Sequence, residues 1–170
     1  MSNAEPLIRN ISDTACWAAV YRARESERSD ALFRDPLARL LAGARGEQIA
    51  VSMPFNDRVS WSWVARTVLY DQFIAAEIDQ GVDMVINLAA GLDARPYRMT
   101  LPASLQWIEV DLPEILTYKE QVLASERPAC KLERLRLDLS DVTARRESVH
   151  QGRDVAGADL QVAGDGLLRR

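Results

Sequence analysis

The spacing of apolar residues predicts helices in the first half of the chain. Ser12 and Asp13 are residue types that suit helix N-caps, and the apolar residues after them recur at helical spacing. Asp35-Pro36 opens a second, short helix, and Gly43 lies just past its end. A broad apolar face then predicts one long helix over residues 57–80.

The pattern changes in the second half, where short apolar runs alternate with helical stretches. Strands that alternate with helices form βαβ units, and these units predict an α/β fold with a parallel sheet. The sheet has about four parallel strands, and a ligand is expected at their carboxyl ends. The predicted strands are 84–88, 107–111, 132–139 and 160–163, and the predicted helices between them are 112–125 and 140–151.

The length of the chain is sufficient for one domain, because 170 residues that are 48% hydrophobic can bury a core. We expect residues 1–80 to form a helical region and residues 81–170 a partial sheet region, which together make that domain. A doubly wound sheet normally has more than four strands, so we also expect the chain to be truncated at its C-terminus.

Charge and cysteine content narrow the class of partner. The net charge of −4 argues against nucleic acid, whose phosphates require clustered basic residues. No stretch approaches the roughly 20 apolar residues of a membrane span, and residues 1–10 do not resemble a signal peptide. Cys16 and Cys130 match no metal or redox motif, so we interpret them as reduced, small apolar residues. The expected location is therefore the cytoplasm.

A turn of small residues follows the first predicted strand. Ala89, Ala90 and Gly91 come directly after that strand. Small residues let a backbone approach a bound nucleotide closely. Of the three glycines that the dinucleotide fingerprint requires, only Gly91 is present, which counts against a nucleotide-linked oxidoreductase. The alternative is a tight strand-to-helix turn that binds nothing.

Asp111 ends the second predicted strand, about 20 residues after Gly91. An acidic residue at this place in nucleotide-binding α/β folds accepts hydrogen bonds from ribose hydroxyls. Glu109 lies two residues earlier and therefore on the same face of the strand. Asp111 has the alternative role of N-cap for the next helix.

Two motifs in this order resemble the leucine carboxyl methyltransferase family. They are Asn87-Leu-Ala-Ala-Gly-Leu-Asp-Ala-Arg-Pro-Tyr-Arg98 and Glu109-Val-Asp-Leu-Pro-Glu-Ile-Leu-Thr-Tyr-Lys119. Residues 21–36 and 66–74 are similar to the N-terminal helices of the same family. The resemblance implies a Rossmann-like class I methyltransferase sheet, preceded by an N-terminal helical cap, with S-adenosylmethionine (SAM) as the cofactor.

The resemblance also implies roles for individual residues. Arg66 matches an arginine that binds the methionine carboxylate of SAM, although a helix-surface arginine is the alternative. Arg24, or its neighbour Arg22, matches a second basic position near that carboxylate. The residues matched to the rest of the cofactor are Ala89 and Gly91 for the methionine part, Asp111 for the ribose, and Asp138 and Leu139 for the adenine. Asp138 has the alternative role of capping the next helix.

The sequence also departs from the family pattern. The family usually has glycine where Ala89 stands, and a methyl group there crowds a ligand. Asp165 stands where the family has glutamate, and the tyrosine that follows in the family is absent. Trp17, Trp61 and Trp63 suit a substrate wall or, as the alternative, the packing of helices.

The expected activity is O-methylation of a carboxylate or hydroxyl on a small molecule or a protein. No residue is identified as a catalytic base, and no metal site is predicted; the single histidine, His150, is expected at the surface. The alternatives are a remnant or SAM-binding domain without turnover and a fragment of a nucleotide-linked oxidoreductase. The sequence does not predict the oligomeric state.

Overall fold

A computed structural model describes residues 11–53, 56–141, 160–163 and 166–169 of the chain. These residues form five helices and five strands in mixed order. In the order of the chain they are α1 (Ile11–Ser26), α2 (Ala38–Ser52), α3 (Asn56–Asp79), β1 (Met84–Leu88), α4 (Arg95–Arg98), β2 (Gln106–Asp111), α5 (Pro113–Val122), β3 (Lys131–Arg136), β4 (Leu160–Ala163) and β5 (Gly166–Arg169).

The chain forms two compact units. The first unit comprises residues 1–72 and 92–94, and the second comprises residues 73–91 and 95–170. Helices α1 and α2 lie in the first unit, and the whole sheet lies in the second.

Helices α1 and α2 pack closely in the first unit because one of the two has no side chain at the contact. A Cβ atom added to Gly46 of α2 would lie 2.7 Å from the backbone oxygen of Cys16 in α1 and 3.0 Å from Val20 Cγ2. An ion pair also joins the two helices, with Arg45 Nη2 at 2.8 Å from Asp13 Oδ2. Glycine at position 46 therefore permits the close approach of the two backbones.

Replacing Gly46 by alanine is expected to lower the free energy of unfolding by about 1–2 kcal/mol. The added methyl group meets a backbone oxygen, which cannot move aside as a flexible side chain does. Overpacking of this kind costs up to about 3 kcal/mol, and the roughly 1 kcal/mol that alanine gains over glycine in a helix offsets only part of it. Urea denaturation checks the value, with Gln48→Ala as the control at an exposed position of the same helix. A Gly46→Ala protein as stable as the unmodified chain would contradict the packing.

The helix predictions hold with shifted ends. Residues 57–80 were expected as one helix, and α3 spans Asn56–Asp79. Ser12 and Asp13 are wrong as N-caps, because both lie inside α1, which begins by Ile11. The short second helix ends at Gly43 as expected, because its φ of 57° interrupts the helix, and a second helical segment of α2 continues to Ser52.

The sheet has the order β3-β2-β1-β5-β4. Strands β1, β2 and β3 are parallel, with Met84 opposite Gln106 and Gln106 opposite Lys131. This three-stranded parallel arrangement agrees with the predicted Rossmann-like α/β class. The fourth predicted strand exists as β4, but it pairs antiparallel with β5, and β5 pairs antiparallel with β1. The expectation of four parallel strands is therefore wrong in the direction of the fourth.

Both faces of the sheet are apolar. On one face Val85, Trp107 and Cys130 belong to a buried cluster, and on the other Met84, Ile108 and Val110 form a second cluster. Alternation along β1 and β2 divides the side chains between these clusters, as parallel strands buried on both sides require. Cys16 and Cys130 are buried free thiols, and burial raises the pKa of Cys130 to about 11. The prediction of reduced, apolar cysteines is thus confirmed.

Two further predictions concern residues that lie outside the part of the chain described by the structure. The helix predicted over residues 140–151, which includes His150, lies outside the described residues beyond Asp141, and so does Asp165. None of the helices that are described is both long enough and apolar enough to cross a membrane.

Candidate functional site

The turn after β1 has a backbone that favours small residues. Ala89 has a φ of 52° and Gly91 a φ of 49°, so both adopt the left-handed conformation in which a Cβ is disfavoured. Between them, the backbone N–H of Ala90 donates to the carbonyl oxygen of Val110 at 3.2 Å. The turn is therefore attached to the end of β2.

Asp111 completes this attachment with its side chain. Its Oδ2 accepts a hydrogen bond of 2.6 Å from the backbone N–H of Gly91, and its Oδ1 accepts one of 2.7 Å from Leu112. The residue is 7% exposed. A carboxylate offers about four lone-pair sites, so each oxygen retains capacity for a further donor.

The alternative role of Asp111 as an N-cap is not observed. The N-cap of α5 is Leu112, and no side chain caps that helix. The structure instead joins the two sequence motifs, because the acid at the end of β2 holds the small-residue turn that follows β1. Carboxyl ends of neighbouring parallel strands meet at one edge of a sheet, which is where α/β folds bind ligands.

Asp138 and Leu139 follow β3 in the same unit. Asp138 Oδ1 accepts a hydrogen bond of 2.8 Å from the backbone N–H of Ser140, and hydrogen bonding from Ser140 lowers the pKa of Asp138. A bond to the second following N–H is the type made by an N-cap, but the helix that Asp138 would cap lies outside the described residues, so this alternative stays a prediction. Leu139 packs against the cluster that contains Met84 and Val110.

Arg22 and Arg24 differ in how firmly they are held in the first unit. Arg22 Nε lies 3.0 Å from Asp35 Oδ2, and its Nη2 donates to the carbonyl oxygen of Leu92 at 2.6 Å. Arg24 pairs with Glu47 at 3.2 Å and has a side chain that is 38% exposed. Arg22 is thus already bound to two groups of the protein, so Arg24 stays the predicted cofactor residue.

Arg66 is exposed and lines a pocket of about 380 Å³ in the first unit. The other described residues that line this pocket are Trp17, Ser62 and Trp63. A guanidinium in a pocket is suited to hold a carboxylate in a bidentate pair. The roles of Arg66, Arg24, Asp138 and Leu139 toward a cofactor stay predictions.

Sequence reasoning missed a buried ionic network in the second unit. Glu109 accepts a hydrogen bond of 2.6 Å from Lys119 Nζ and one of 2.9 Å from Arg134 Nε. Arg134 also donates to the hydroxyl of Tyr97 at 2.7 Å. The alternation of β2 places Glu109 on an apolar face, and a carboxylate there requires cationic partners. That signal was available, but the identity of partners 10 and 25 residues away was not.

Comparison with known proteins assigns the chain to a family. The model of the family described as leucine carboxyl methyltransferase matches residues 15–159. The chain belongs to the leucine carboxyl methyltransferase family. This assignment confirms the resemblance seen in the two motifs and favours a methyltransferase over an oxidoreductase.

Individual proteins are similar to this chain over much of its length. A protein of Frankia alni is 39% identical over 127 residues, which cover 72% of this chain and 45% of the relative. One of Streptomyces coelicolor is 37% identical over 168 residues, covering 91% and 58%. Both bear the name "Putative S-adenosyl-L-methionine-dependent methyltransferase". The chain spans about half the length of these curated relatives.

Replacing Ala89 by glycine is expected to raise the free energy of unfolding by about 0.5–1 kcal/mol. The left-handed conformation costs a residue with a Cβ about 1–2 kcal/mol, and the greater freedom of unfolded glycine offsets part of that gain. Thermal or urea denaturation checks the sign. The matched control is Ala90→Gly, which is expected to lose stability because Ala90 is buried and its φ is not positive. Destabilisation by both substitutions to a similar extent would contradict the left-handed backbone conformation of Ala89.

Proposed function

We propose that the chain functions in SAM-dependent methyl transfer to an oxygen atom of a carboxylate or hydroxyl group, on a small molecule or a protein. The observation that carries the proposal is the hydrogen bond from Gly91 N–H to Asp111 Oδ2. It joins, at one edge of a parallel sheet, the two motifs that the resemblance associates with the cofactor. Membership of the family and the names of the relatives support the same conclusion.

The acceptor oxygens of Asp111 at this edge fit the sugar of a nucleoside. Asp111 offers only acceptors, and a ribose diol offers two donors, so the two are complementary. The backbone N–H groups that already reach Asp111 fix its orientation, which reduces the freedom that ligand binding must remove. The residues proposed to hold the remainder of the cofactor are Ala89 and Gly91 at the methionine part, Arg66 and Arg24 at its carboxylate, and Asp138 and Leu139 at the adenine.

The chemistry divides between the cofactor and the protein. SAM supplies, when bound, a methyl group activated by a sulfonium. The protein binds and orients the acceptor oxygen for in-line attack. An ionised carboxylate acceptor is already a nucleophile, whereas a hydroxyl acceptor requires a base to remove its proton. No described residue is assigned as that base.

We also propose a cytoplasmic location. The two buried free thiols support it, because reducing compartments keep thiols unpaired.

Equilibrium dialysis of the chain against SAM labelled in its methyl group tests the proposal. We expect the protein to retain the label, excess S-adenosylhomocysteine to displace it, and NADH to leave it bound. Displacement by NADH would favour the oxidoreductase alternative, and absence of retention would overturn the proposal. Retention without transfer to any carboxylate or hydroxyl acceptor would indicate a SAM-binding domain without turnover.

A further inference from the structure

The pocket of the first unit has aromatic walls that the proposed cofactor contacts do not use, although Arg66, which also lines it, is the residue proposed for the carboxylate of the cofactor. Trp17 of α1 and Trp63 of α3 line it together with Ser62 and Arg66. Its volume of about 380 Å³ is at the lower end for small-molecule sites. This volume suits a compound of one or two rings.

Three aromatic rings are grouped at this pocket. The ring centroids of Trp17 and Trp63 lie 6.0 Å apart with an edge-to-face orientation. Tyr21 is nearly parallel to Trp63, with an interplanar angle of 11° and centroids 6.3 Å apart. Trp17 Nε1 donates to the hydroxyl of Tyr21 at 3.0 Å, so the indole donor of Trp17 is satisfied within the group. Trp17 therefore lines the pocket with its polar N–H already paired inside the protein.

Among the described residues that line the pocket, the two polar ones come from a single helix. Ser62 and Arg66 are four residues apart on α3, so they lie on one face of that helix. A hydroxyl and a guanidinium favour a ligand that carries oxygen, and the positive charge of Arg66 disfavours a cationic ligand despite the aromatic faces. The pocket thus combines two indole walls with one side suited to a negatively charged or hydroxyl group.

We propose that this pocket binds the planar aromatic ring of an oxygen-bearing ligand, such as an aromatic carboxylate. Flat rings gain most from aromatic walls, because offset and edge-to-face contacts add to the area that is buried. The identification of that ligand as the methyl acceptor rests on the proposed function, whereas the binding of the ring does not.

Calorimetric titration of the full chain with 2-naphthoate tests the inference, and decahydro-2-naphthoate is the non-planar comparison with the same carbon skeleton and charge. We expect 2-naphthoate to bind at least about fivefold more tightly, a ratio that corresponds to one favourable aromatic contact. Equal binding of the two acids, or the absence of any binding by 2-naphthoate, would overturn the proposal.

Substitutions at Trp63 test whether this residue contributes to ligand binding or only to the stability of the fold. Trp63→Leu is expected to reduce the affinity for 2-naphthoate about fivefold to tenfold, and Trp63→Phe is expected to retain most of it. The control is Trp61→Leu, because Trp61 lies on the same helix, is 68% exposed and does not line the pocket. Unchanged affinity in a Trp63→Leu protein with normal helix content would overturn the proposal. If that protein does not fold, the comparison of the two acids on the unmodified chain decides.

Dialysis against labelled SAM on the same preparation distinguishes the two proposals. Retention of SAM without binding of 2-naphthoate overturns only the aromatic pocket. Binding of 2-naphthoate without retention of SAM overturns only the proposed function and leaves an aromatic-acid site.

Discussion

Replacing Glu109 by alanine is expected to lower the free energy of unfolding by about 3–5 kcal/mol. Glu109 and Lys119 both have side chains with no exposed surface, and their charged atoms lie 2.6 Å apart. Removal of the carboxylate leaves the ammonium of Lys119 buried without its anion. Arg134, whose side chain is 13% exposed, loses the same partner.

The loss is expected to be large because the carboxylate joins several elements. Glu109 lies on β2, Lys119 on α5 and Arg134 on β3. Arg134 in turn donates to Tyr97 of α4. One substitution therefore removes two charge-assisted hydrogen bonds and leaves two cations with reduced compensation.

Urea denaturation measures the effect, and Glu120→Ala is the matched control. Glu120 also faces Arg134 and Arg136, but its side chain is 36% exposed, so its loss is expected to cost less than about 1 kcal/mol. Replacing Glu109 and Lys119 together by leucine is expected to be less damaging than Glu109→Ala, because no buried charge is left unpaired at that pair. A loss below about 1 kcal/mol for Glu109→Ala would contradict the buried network.

Replacing Asp111 by asparagine is expected to weaken the binding of S-adenosylhomocysteine about tenfold to hundredfold. A hydrogen bond to a charged acceptor contributes about 1.5–3 kcal/mol, and asparagine replaces one of the two acceptor oxygens by a donor. The amide nitrogen of asparagine, which is a donor, then faces another donor, either a backbone N–H of the turn or a ribose hydroxyl. Calorimetric titration measures the change in affinity.

Asp30→Asn provides the control for the change in net charge. Asp30 lies in the first unit, pairs with Arg28 and has a side chain that is 71% exposed. Its substitution is expected to leave the affinity within about twofold. Equal affinity in the Asp111→Asn and unmodified proteins would show that Asp111 only holds the turn.

The stability of the Asp111→Asn protein separates the two roles of this residue. One of the bonds from Gly91 and Leu112 loses its acceptor, so we expect a loss of about 1–2 kcal/mol in the free energy of unfolding. The protein is expected to stay folded, and the weaker binding then reports on the site rather than on the fold.

Strands with strong local signals could be predicted from the sequence. β1 spans Met84–Leu88 as expected, because an uninterrupted apolar run of strand length ends at small residues. Gly91 and Asp111 could both be placed at the ligand-binding end of the sheet, because the carboxyl ends of adjacent parallel strands meet at one edge. The hydrogen bond between the two residues agrees with that placement.

Features that depend on distant partners could not be predicted. Residues 160–163 form a strand as expected, but a run of four residues does not specify whether its neighbour is parallel or antiparallel. The cationic partners of Glu109 come from another helix and another strand, and their spacing has no periodicity that could have indicated them.

The central claim is that Asp111 holds the ribose of a bound cofactor. The most direct test is a calorimetric comparison of S-adenosylhomocysteine with an analogue that lacks both ribose hydroxyls, on the unmodified and Asp111→Asn proteins. We predict that the unmodified protein binds the complete nucleoside at least about tenfold more tightly, and that Asp111→Asn reduces this ratio to about threefold or less. Equal affinity of the unmodified protein for the two compounds, or no binding of either, would contradict the claim.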